Sequence, residues 1–360
     1  VRAAATNVGP GSLSTPVVAA IVLNWNGSHD SIRAIRSLQG SNYPALHVIL
    51  VDNGSAGDDP ASIEDHCPGI VVIRLTENQG FGRAVNLAAA AAFQRGAEHL
   101  LLFNNDALIP TGEPVIERLV ARLTTSERIG AVGPIIVDDD ARRTVQAAGI
   151  ALRTWFPVPR GVGKGLPYEI ARARTFAFDF LQGSCLLVRG SAFIDVNGFD
   201  PDFFFYADDA DLMVRLKRAR YRAALVCDTY VVHRRGSSIR RGSENEAYAL
   251  IRSMLIFLKK HARWYDLPSA AFTMIATSIV YCGVWRGRSH LAPIGRAWID
   301  FFAGRWGGFS GAWAAGYAAP DFASLQATLR ATPSESRENP TTSLLSHVLA
   351  RVKPFGRLLA

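Results

Sequence analysis

Between residues 17 and 107 one pattern recurs along the chain: an apolar, β-branched run ends abruptly in polar residues, and helical spacing follows. Residues 17–27 read VVAAIVLNWNG, residues 47–55 read HVILVDNGS, residues 70–75 form a third run, and residues 101–107 read LLFNNDA after a further Leu at position 100. Unbroken apolar runs of this length suit strands that are buried on both faces. The third run feeds ENQGFGRAVN at 77–86, which opens an Ala-rich helix. Strands alternating with helical segments predict a doubly wound parallel sheet. In such sheets ligands collect at the carboxyl ends of the strands, where these polar clusters stand. The last cluster ends in Asp106, a natural ligand for a hard divalent cation that takes its other ligands from phosphate and water. A polar loop capping the next helix would look the same in that run alone.

The second half continues differently. Residues 180–189, FLQGSCLLVR, predict a buried strand with a close backbone approach at Gly183. Residues 203–216, FFFYADDADLMVRL, predict an apolar cluster and then a helix with Asp208, Asp209 and Asp211 in its first turn. Acids there complement the helix dipole, and Asp211 stands four residues before Arg215. The dipole accounts for one carboxylate more readily than for three, because adjacent like charges repel. A further strand is predicted over 223–232, just before His233. Residues 270–285 are apolar and flanked by Lys259, Lys260, Arg263, Arg286 and Arg288. The stretch falls short of the roughly 20 residues of a membrane span, so an interfacial or buried helix pair, continued through 294–302, fits better. Basic flanks with Trp264, Trp285, Trp298 and Trp306 suit an anionic membrane surface; a helical subdomain or a homo-oligomer interface suits them as well.

Composition narrows the class. With 360 residues the chain can bury a large core, as one main domain with an appendage. The formal net charge is +8, yet there is no zinc-finger spacing, RNP-type motif or long Lys/Arg block, so nucleic acid is not an expected partner. An anionic substrate or an anionic membrane accounts for the arginines, including the pairs Arg234-Arg235 and Arg240-Arg241. Cys67, Cys185, Cys227 and Cys282 match no metal spacing and read as reduced, mostly buried residues of a cytoplasmic protein. Residues 1–16 read as a flexible tail without a secretory signal; residues 137–174 carry an acidic turn at 138–140 and then the basic segment PVPRGVGKGLP at 157–167, which reads as a surface loop in preference to a lid whose Arg160 or Lys164 meets an anion.

The segments LNWNG, VDNGS, ENQGFGRAVN, LLFNND, GFDPDFFFYADDADLMVRL and VVHRRGSS, in this order, resemble family 2 of the glycosyltransferases, inverting enzymes of GT-A fold, and within it the rhamnosyltransferase-like branch. Six ordered motifs rarely coincide by chance. The resemblance spans residues 17–260 and implies an α/β, GT-A type, doubly wound and mostly parallel sheet with a helical C-terminal appendage. The nucleotide-binding half would cover 17–136 and the acceptor half 137–260, followed by a helical region at 261–330 and a loose tail at 331–360.

Each chemical demand of sugar transfer then has a candidate. Trp25 offers a π-face to a nucleobase, although core packing is an ordinary use of such a residue. Asn24, Asn26, Asp52, Asn78 and Asn105 supply hydrogen bonds to the nucleotide. Gly80 and Gly82 permit a tight turn before a helix, and Arg83 reaches toward a diphosphate; the GxGxxG spacing of a dinucleotide site is absent. By the resemblance Asp106 and His233 hold Mn²⁺ or Mg²⁺, Asp209 is the catalytic base, and Asp208 and Gly183 meet the acceptor. Two departures stand out. The family's DxD-like triplet is Asn104-Asn105-Asp106, and its Glu-Asp pair is Asp208-Asp209, one methylene shorter.

The implied reaction moves a sugar from a nucleotide-diphosphate-sugar, dTDP-rhamnose by branch resemblance, to a hydroxyl of a cell-envelope or polyprenyl-linked saccharide at the inner face of the plasma membrane. A catalytically inactive sugar- or nucleotide-binding scaffold would bind without forming product. A nucleotidyltransferase would want a basic, Gly-rich loop after the first strand, where NWNGSHD stands instead.

Overall fold

The computed structural model describes residues 15–57, 59–234, 243–280, 291–308 and 317–325. The apolar runs become strands and the amphipathic stretches become helices, in the order β1 (Val18–Asn24), α1 (Ser28–Gln39), β2 (Leu46–Asn53), α2 (Asp59–His66), β3 (Val71–Leu75), α3 (Phe81–Gln94) and β4 (His99–Asn104). β1 pairs in parallel with β2 on one side and β4 on the other, and β2 pairs in parallel with β3. Helix α1 turns Ala34, Ile35 and Leu38 inward, while α3 buries Ala84, Ala88, Ala89 and Ala92, small residues that let its axis lie close to the sheet.

The chain continues through β5 (Ala107–Leu108), α4 (Val115–Thr124), β6 (Ile129–Val137), β7 (Val145–Ala147), β8 (Ile150–Arg153), β9 (Phe156–Gly161), α5 (Tyr168–Ala171), β10 (Cys185–Arg189), α6 (Gly190–Asp195), α7 (Asp208–Arg218) and β11 (Arg222–His233). The main sheet has 9 strands in the order β3-β2-β1-β4-β10-β6-β11-β5, with β7 alongside β6. Strands β1 to β4, β6 and β11 run one way, and β5, β7 and β10 run against them. The sheet is therefore mixed and mostly parallel. Its two halves are not separate layers, because β10 inserts between β4 and β6 and joins them.

One expectation is corrected. The segment 157–167 is not all surface loop: its first part belongs to β9, paired with β8, within a stretch that also forms β7 and α5. Tyr168 and Ala171 pack with Ile135, Val137, Val145, Ala148 and Tyr230 in a small separate core, with the Tyr168 and Tyr230 ring centroids 4.5 Å apart. Its many Gly and Pro residues serve turns between ordered pieces, which composition alone cannot distinguish from a loop.

Three helices follow: α8 (Glu244–His261), α9 (Leu267–Val280) and α10 (Leu291–Phe302). α8 is part of the main core, with Tyr248, Ile251, Met254 and Leu255 in the same cluster as Ile21 and Ala88. α10 docks on α8, where Tyr248 donates to Asp300 Oδ2 at 2.6 Å and Arg252 donates to the Tyr248 hydroxyl at 2.7 Å. No helix among the described residues is long and apolar enough to cross a membrane. Cys67 and Cys185 are buried, Cys227 is half-buried, and all three are free thiols. Residues 1–14, Arg235, Arg240, Arg241, Cys282, Trp285, Arg286, Arg288 and 331–360 lie outside the described residues.

Candidate active site

The carboxyl ends of β1 and β4 and the last residue of β11 border one cleft of about 420 Å³, closed on the other side by the segment leading into α7. Strand register builds its first pair of polar side chains. β11 pairs with β5 so that His233 lies opposite Ala107, which sets the imidazole beside Asp106. His233 Nε2 is 3.1 Å from Asp106 Oδ1, and each side chain is only 8% exposed. Asn104 Nδ2 lies 3.5 Å from the same ring nitrogen. A carboxylate and an imidazole converging on the edge of a cleft are a donor set suited to a cation such as Mn²⁺. Among the described residues no group of three or more acidic, His or Cys side chains converges. Held by such a pair, a hard divalent ion would take its remaining ligands from phosphate and water.

The opposing wall carries Asp208 and Asp209 at the amino end of α7. Tyr206 and Ala207, just before it, have φ of +69° and +61°, a conformation costly for residues with a Cβ and characteristic of functional turns. The turn aims both carboxylates into the cleft. Asp209 Oδ2 accepts from Gly183 N at 3.1 Å and its Oδ1 from Ala210 N at 2.8 Å, while Asp208 Oδ1 accepts from Asp209 N at 3.0 Å. Burial, reinforced by the neighbouring Asp209 charge, pushes Asp208 up to about 7. Burial also raises Asp209, against the backbone donors that favour its charged form. A Cβ at Gly183 would stand in ordinary contact with Asp209, 3.4 Å from its Cβ, so here this glycine chiefly backs the acid through its N–H.

On the nucleotide side the cleft is lined by Trp25, Asn78, Gly80 and Asn105. Asn105 Nδ2 donates to Ser31 Oγ at 3.4 Å. Asn78 Oδ1 accepts from Asn53 Nδ2 at 3.1 Å and from Gly80 N at 2.9 Å. Gly80 has φ +77°, and a Cβ there would lie 2.6 Å from the Phe204 carbonyl, so only glycine fits. The next residue, Phe81, donates its N–H to that carbonyl at 2.9 Å, tying the glycine turn to the acid-bearing loop.

Asn24, Asn26, Asp52 and Arg83 stand outside the lining of this cleft. Asn24 is fully buried; its Nδ2 donates to Asp52 Oδ1 at 3.0 Å and Ser55 Oγ at 3.1 Å, and its Oδ1 accepts from Ser31 Oγ at 2.8 Å. Asn26 Oδ1 accepts from Ala56 N at 2.8 Å. These bonds hold the turn that carries Trp25. Arg83 donates to Pro201 O at 3.0 Å and lies over the Tyr317 ring at 4.6 Å. Arg234 is paired with Asp139 at 2.8 Å.

Several lining residues were not read from the sequence: Asn53, Gln182, Phe205, Tyr206 and Glu246. Glu246 follows Ser243 at capping-box spacing, and Ser243 Oγ does accept from Glu246 N at 3.2 Å. That local explanation absorbs the signal. Only the packing of α8 against the acid loop, with Tyr206 Oη 3.5 Å from Glu246 Oε1, brings this glutamate to the cleft.

Residues 20–196 match the family model described as glycosyl transferase family 2. That segment belongs to glycosyl transferase family 2. The chain is 27% identical over 280 residues to the N-acetylglucosaminyl-diphospho-decaprenol L-rhamnosyltransferase of Mycobacterium tuberculosis, a match covering 71% of this chain and 88% of that protein. A shorter segment of 55 residues is 44% identical to rhamnosyltransferase WbbL of Escherichia coli, covering 15% of this chain and 21% of WbbL. In fold, this glycosyltransferase resembles the mannosyltransferase PcManGT of Pyrobaculum calidifontis, solved with GDP-Man and Mn²⁺, at a TM-score of 0.50 and 17% identity over 96% of this chain and 87% of that one. GalNAc-T7, solved with UDP, GalNAc and Mn²⁺, superposes at a TM-score of 0.54 and 13% identity over 71% of this chain and 49% of its own.

Proposed function

We propose that this glycosyltransferase moves a sugar, with dTDP-rhamnose as the donor, onto a hydroxyl of a lipid-linked saccharide with inversion at the anomeric carbon. The observation that carries the reading is that two pairs of polar side chains, Asp106 with His233 and Asp208 with Asp209, open onto one cleft from different walls. The curated relatives named as rhamnosyltransferases support the choice of sugar, and the relative named for a decaprenol-linked substrate supports the choice of acceptor.

Asp209 takes the proton of the acceptor hydroxyl, and its raised affinity for a proton makes it a stronger base than an ordinary carboxylate. The hydroxyl oxygen forms the new bond on the face opposite the nucleotide, the bond from the anomeric carbon to the diphosphate oxygen breaks, and the nucleoside diphosphate leaves with the electron pair. Asp208 orients the acceptor. Trp25, Asn78 and Asn105 meet the nucleotide, while Asn24, Asn26 and Asp52 shape that subsite by holding the Trp25 turn. Asp106 and His233 would hold Mn²⁺ or Mg²⁺, which supplies Lewis-acid stabilisation of the departing diphosphate. The exposed apolar side of α9 and α10 supports work at the inner, cytoplasmic face of an anionic membrane.

The test is calorimetric binding of dTDP, UDP and GDP with and without Mn²⁺, to the wild type and to Asp106→Ala, followed by product analysis. Binding is expected to depend on Mn²⁺, to favour one nucleotide and to vanish in Asp106→Ala. Asp209→Asn should lower kcat by roughly 10²–10⁴-fold with nucleotide binding unchanged. Full transfer activity in Asp209→Asn, or no nucleotide binding by the folded wild type, overturns the mechanism; binding without any product would mark an inactive scaffold.

A further inference from the structure

His233 is gripped from the side away from the cleft. Gln146, on β7 and 5% exposed, sets its Nε2 among three acceptors: Val137 O at 3.2 Å, Asp138 Oδ1 at 2.8 Å and the carbonyl of His233 itself. An amide nitrogen only donates and an amide oxygen only accepts, so three acceptors at one end decide which way this side chain faces. Its Oε1 is thereby delivered to His233 Nδ1 at 3.1 Å. The other contact at that nitrogen, Gln182 Nε2 at 3.5 Å, is longer. An oxygen that only accepts calls for a proton on Nδ1, and in the neutral ring this leaves the lone pair on Nε2.

That lone pair points at Asp106 Oδ1, 3.1 Å away. Two acceptors at this distance repel each other unless a proton or a cation stands with them. The Asn104 amide, 3.5 Å from Nε2, offers a donor to the same lone pair. Because Gln146 bonds the carbonyl ends of both β6 and β11, the grip also holds the two strand ends in place around the ring.

We propose that Gln146 is a positioning residue, which holds His233 as its Nδ1–H tautomer and so keeps the Nε2 lone pair aimed at a divalent cation shared with Asp106. The inference rests on the reading of Asp106 and His233 as cation ligands, but not on any choice of sugar or acceptor. Partners of this kind behind a metal-bound histidine commonly change metal affinity by about 10–100-fold.

The experiment has two arms. The first is Mn²⁺ binding, followed by electron paramagnetic resonance with and without nucleoside diphosphate, on the wild type, Gln146→Leu and Gln146→Glu, each with its thermal unfolding curve. Gln146→Leu should weaken Mn²⁺ by roughly 10-fold or more, read on the folded protein that its unfolding curve defines. Gln146→Glu, protonated on the oxygen that faces those three acceptors, keeps an acceptor for Nδ1 and should retain more of the affinity. The second arm needs no variant: long-range ¹H–¹⁵N spectra of histidine-labelled wild type, at a pH where the ring is neutral, should give the Nδ1–H pattern for His233. Unchanged Mn²⁺ affinity in folded Gln146→Leu, an Nε2–H pattern, or a wild type that binds no Mn²⁺ overturns the proposal. A protein whose Mn²⁺ affinity depends on Gln146 as expected, yet which transfers no sugar, would sink the proposed reaction and leave this inference standing.

Discussion

Asp208 illustrates how a single buried carboxyl can oppose folding. Its carboxyl loses a proton only near pH 7 in the fold, against 3.8 for an exposed aspartate. A raised carboxyl pKa favours the folded state at low pH, and that advantage is lost as pH rises from about 4 to above 7. Asp208→Asn should therefore raise the melting temperature at pH 8 and leave it nearly unchanged at pH 4, with a gain on the order of 2–4 kcal/mol. Equal effects at both pH values would mean that the buried charge carries no such cost. The same substitution should weaken acceptor use, so stability and activity would move in opposite directions. Asp211, three residues on, behaves in the reverse sense. Burial works to raise it, but hydrogen bonds from His261 and Arg215 outweigh burial and bring it below the usual carboxylate range.

At the scale of elements, those bonds are what hold the acid-bearing helix in place. Asp211 is fully buried and accepts from Arg215 Nε at 2.7 Å within α7, while His261 Nε2 at the end of α8 stands 2.7 Å from its other oxygen. Arg215 also donates to the carbonyls of Val196 and Gly198, so the α6–α7 connection is clamped as well. Removing one partner of a buried ion pair strands the others. Asp211→Ala should cost about 3–5 kcal/mol in urea unfolding. Because the folded pKa lies below 3.8, the stabilisation from Asp211 is present above that value and fades as pH falls through the folded pKa, so the mutational penalty should shrink in acid. A penalty below 1 kcal/mol at pH 7, or one that grows in acid, would refute the clamp. The spacing of Asp211 and Arg215 was legible in the sequence, since residues four apart on a helix must meet. His261 was not, because it stands 50 positions further along the chain and only tertiary packing brings the end of α8 beside α7.

For the molecule as a whole, one face stands out. Phe272 (74% exposed), Ile279 (65%), Ile299 (62%) and Phe302 (76%) crowd the outer side of α9 and α10. Asp266 and Asp300 are buried, and the charged side chains exposed on these segments, Arg263, Arg296 and Arg305, are all cationic. An apolar face with a positive rim complements an anionic bilayer. Phe272→Ser with Ile279→Ser should reduce co-sedimentation with phosphatidylglycerol vesicles by about tenfold or more, given the free energy of burying two such side chains. Equal sedimentation by the double variant, or concentration-dependent dimerisation that the variant abolishes, would assign the face to another copy of the chain instead. Much of the protein was legible in its residues. Apolar runs ending in Asn24, Asp52 and Asn104 state which segments are buried strands and where their polar ends fall, because burial of a two-faced strand leaves few other options. The acids at the start of α7 and the glycine turn before α3 were likewise local facts. Only tertiary structure placed β10 between β4 and β6, turned Asn24 and Asp52 inward onto each other, brought Glu246 to the cleft and set Gln146 behind His233. Each of these depends on pairing and packing between segments distant in the chain, where side-chain identity fixes what a residue can bond but not which partner the fold delivers to it.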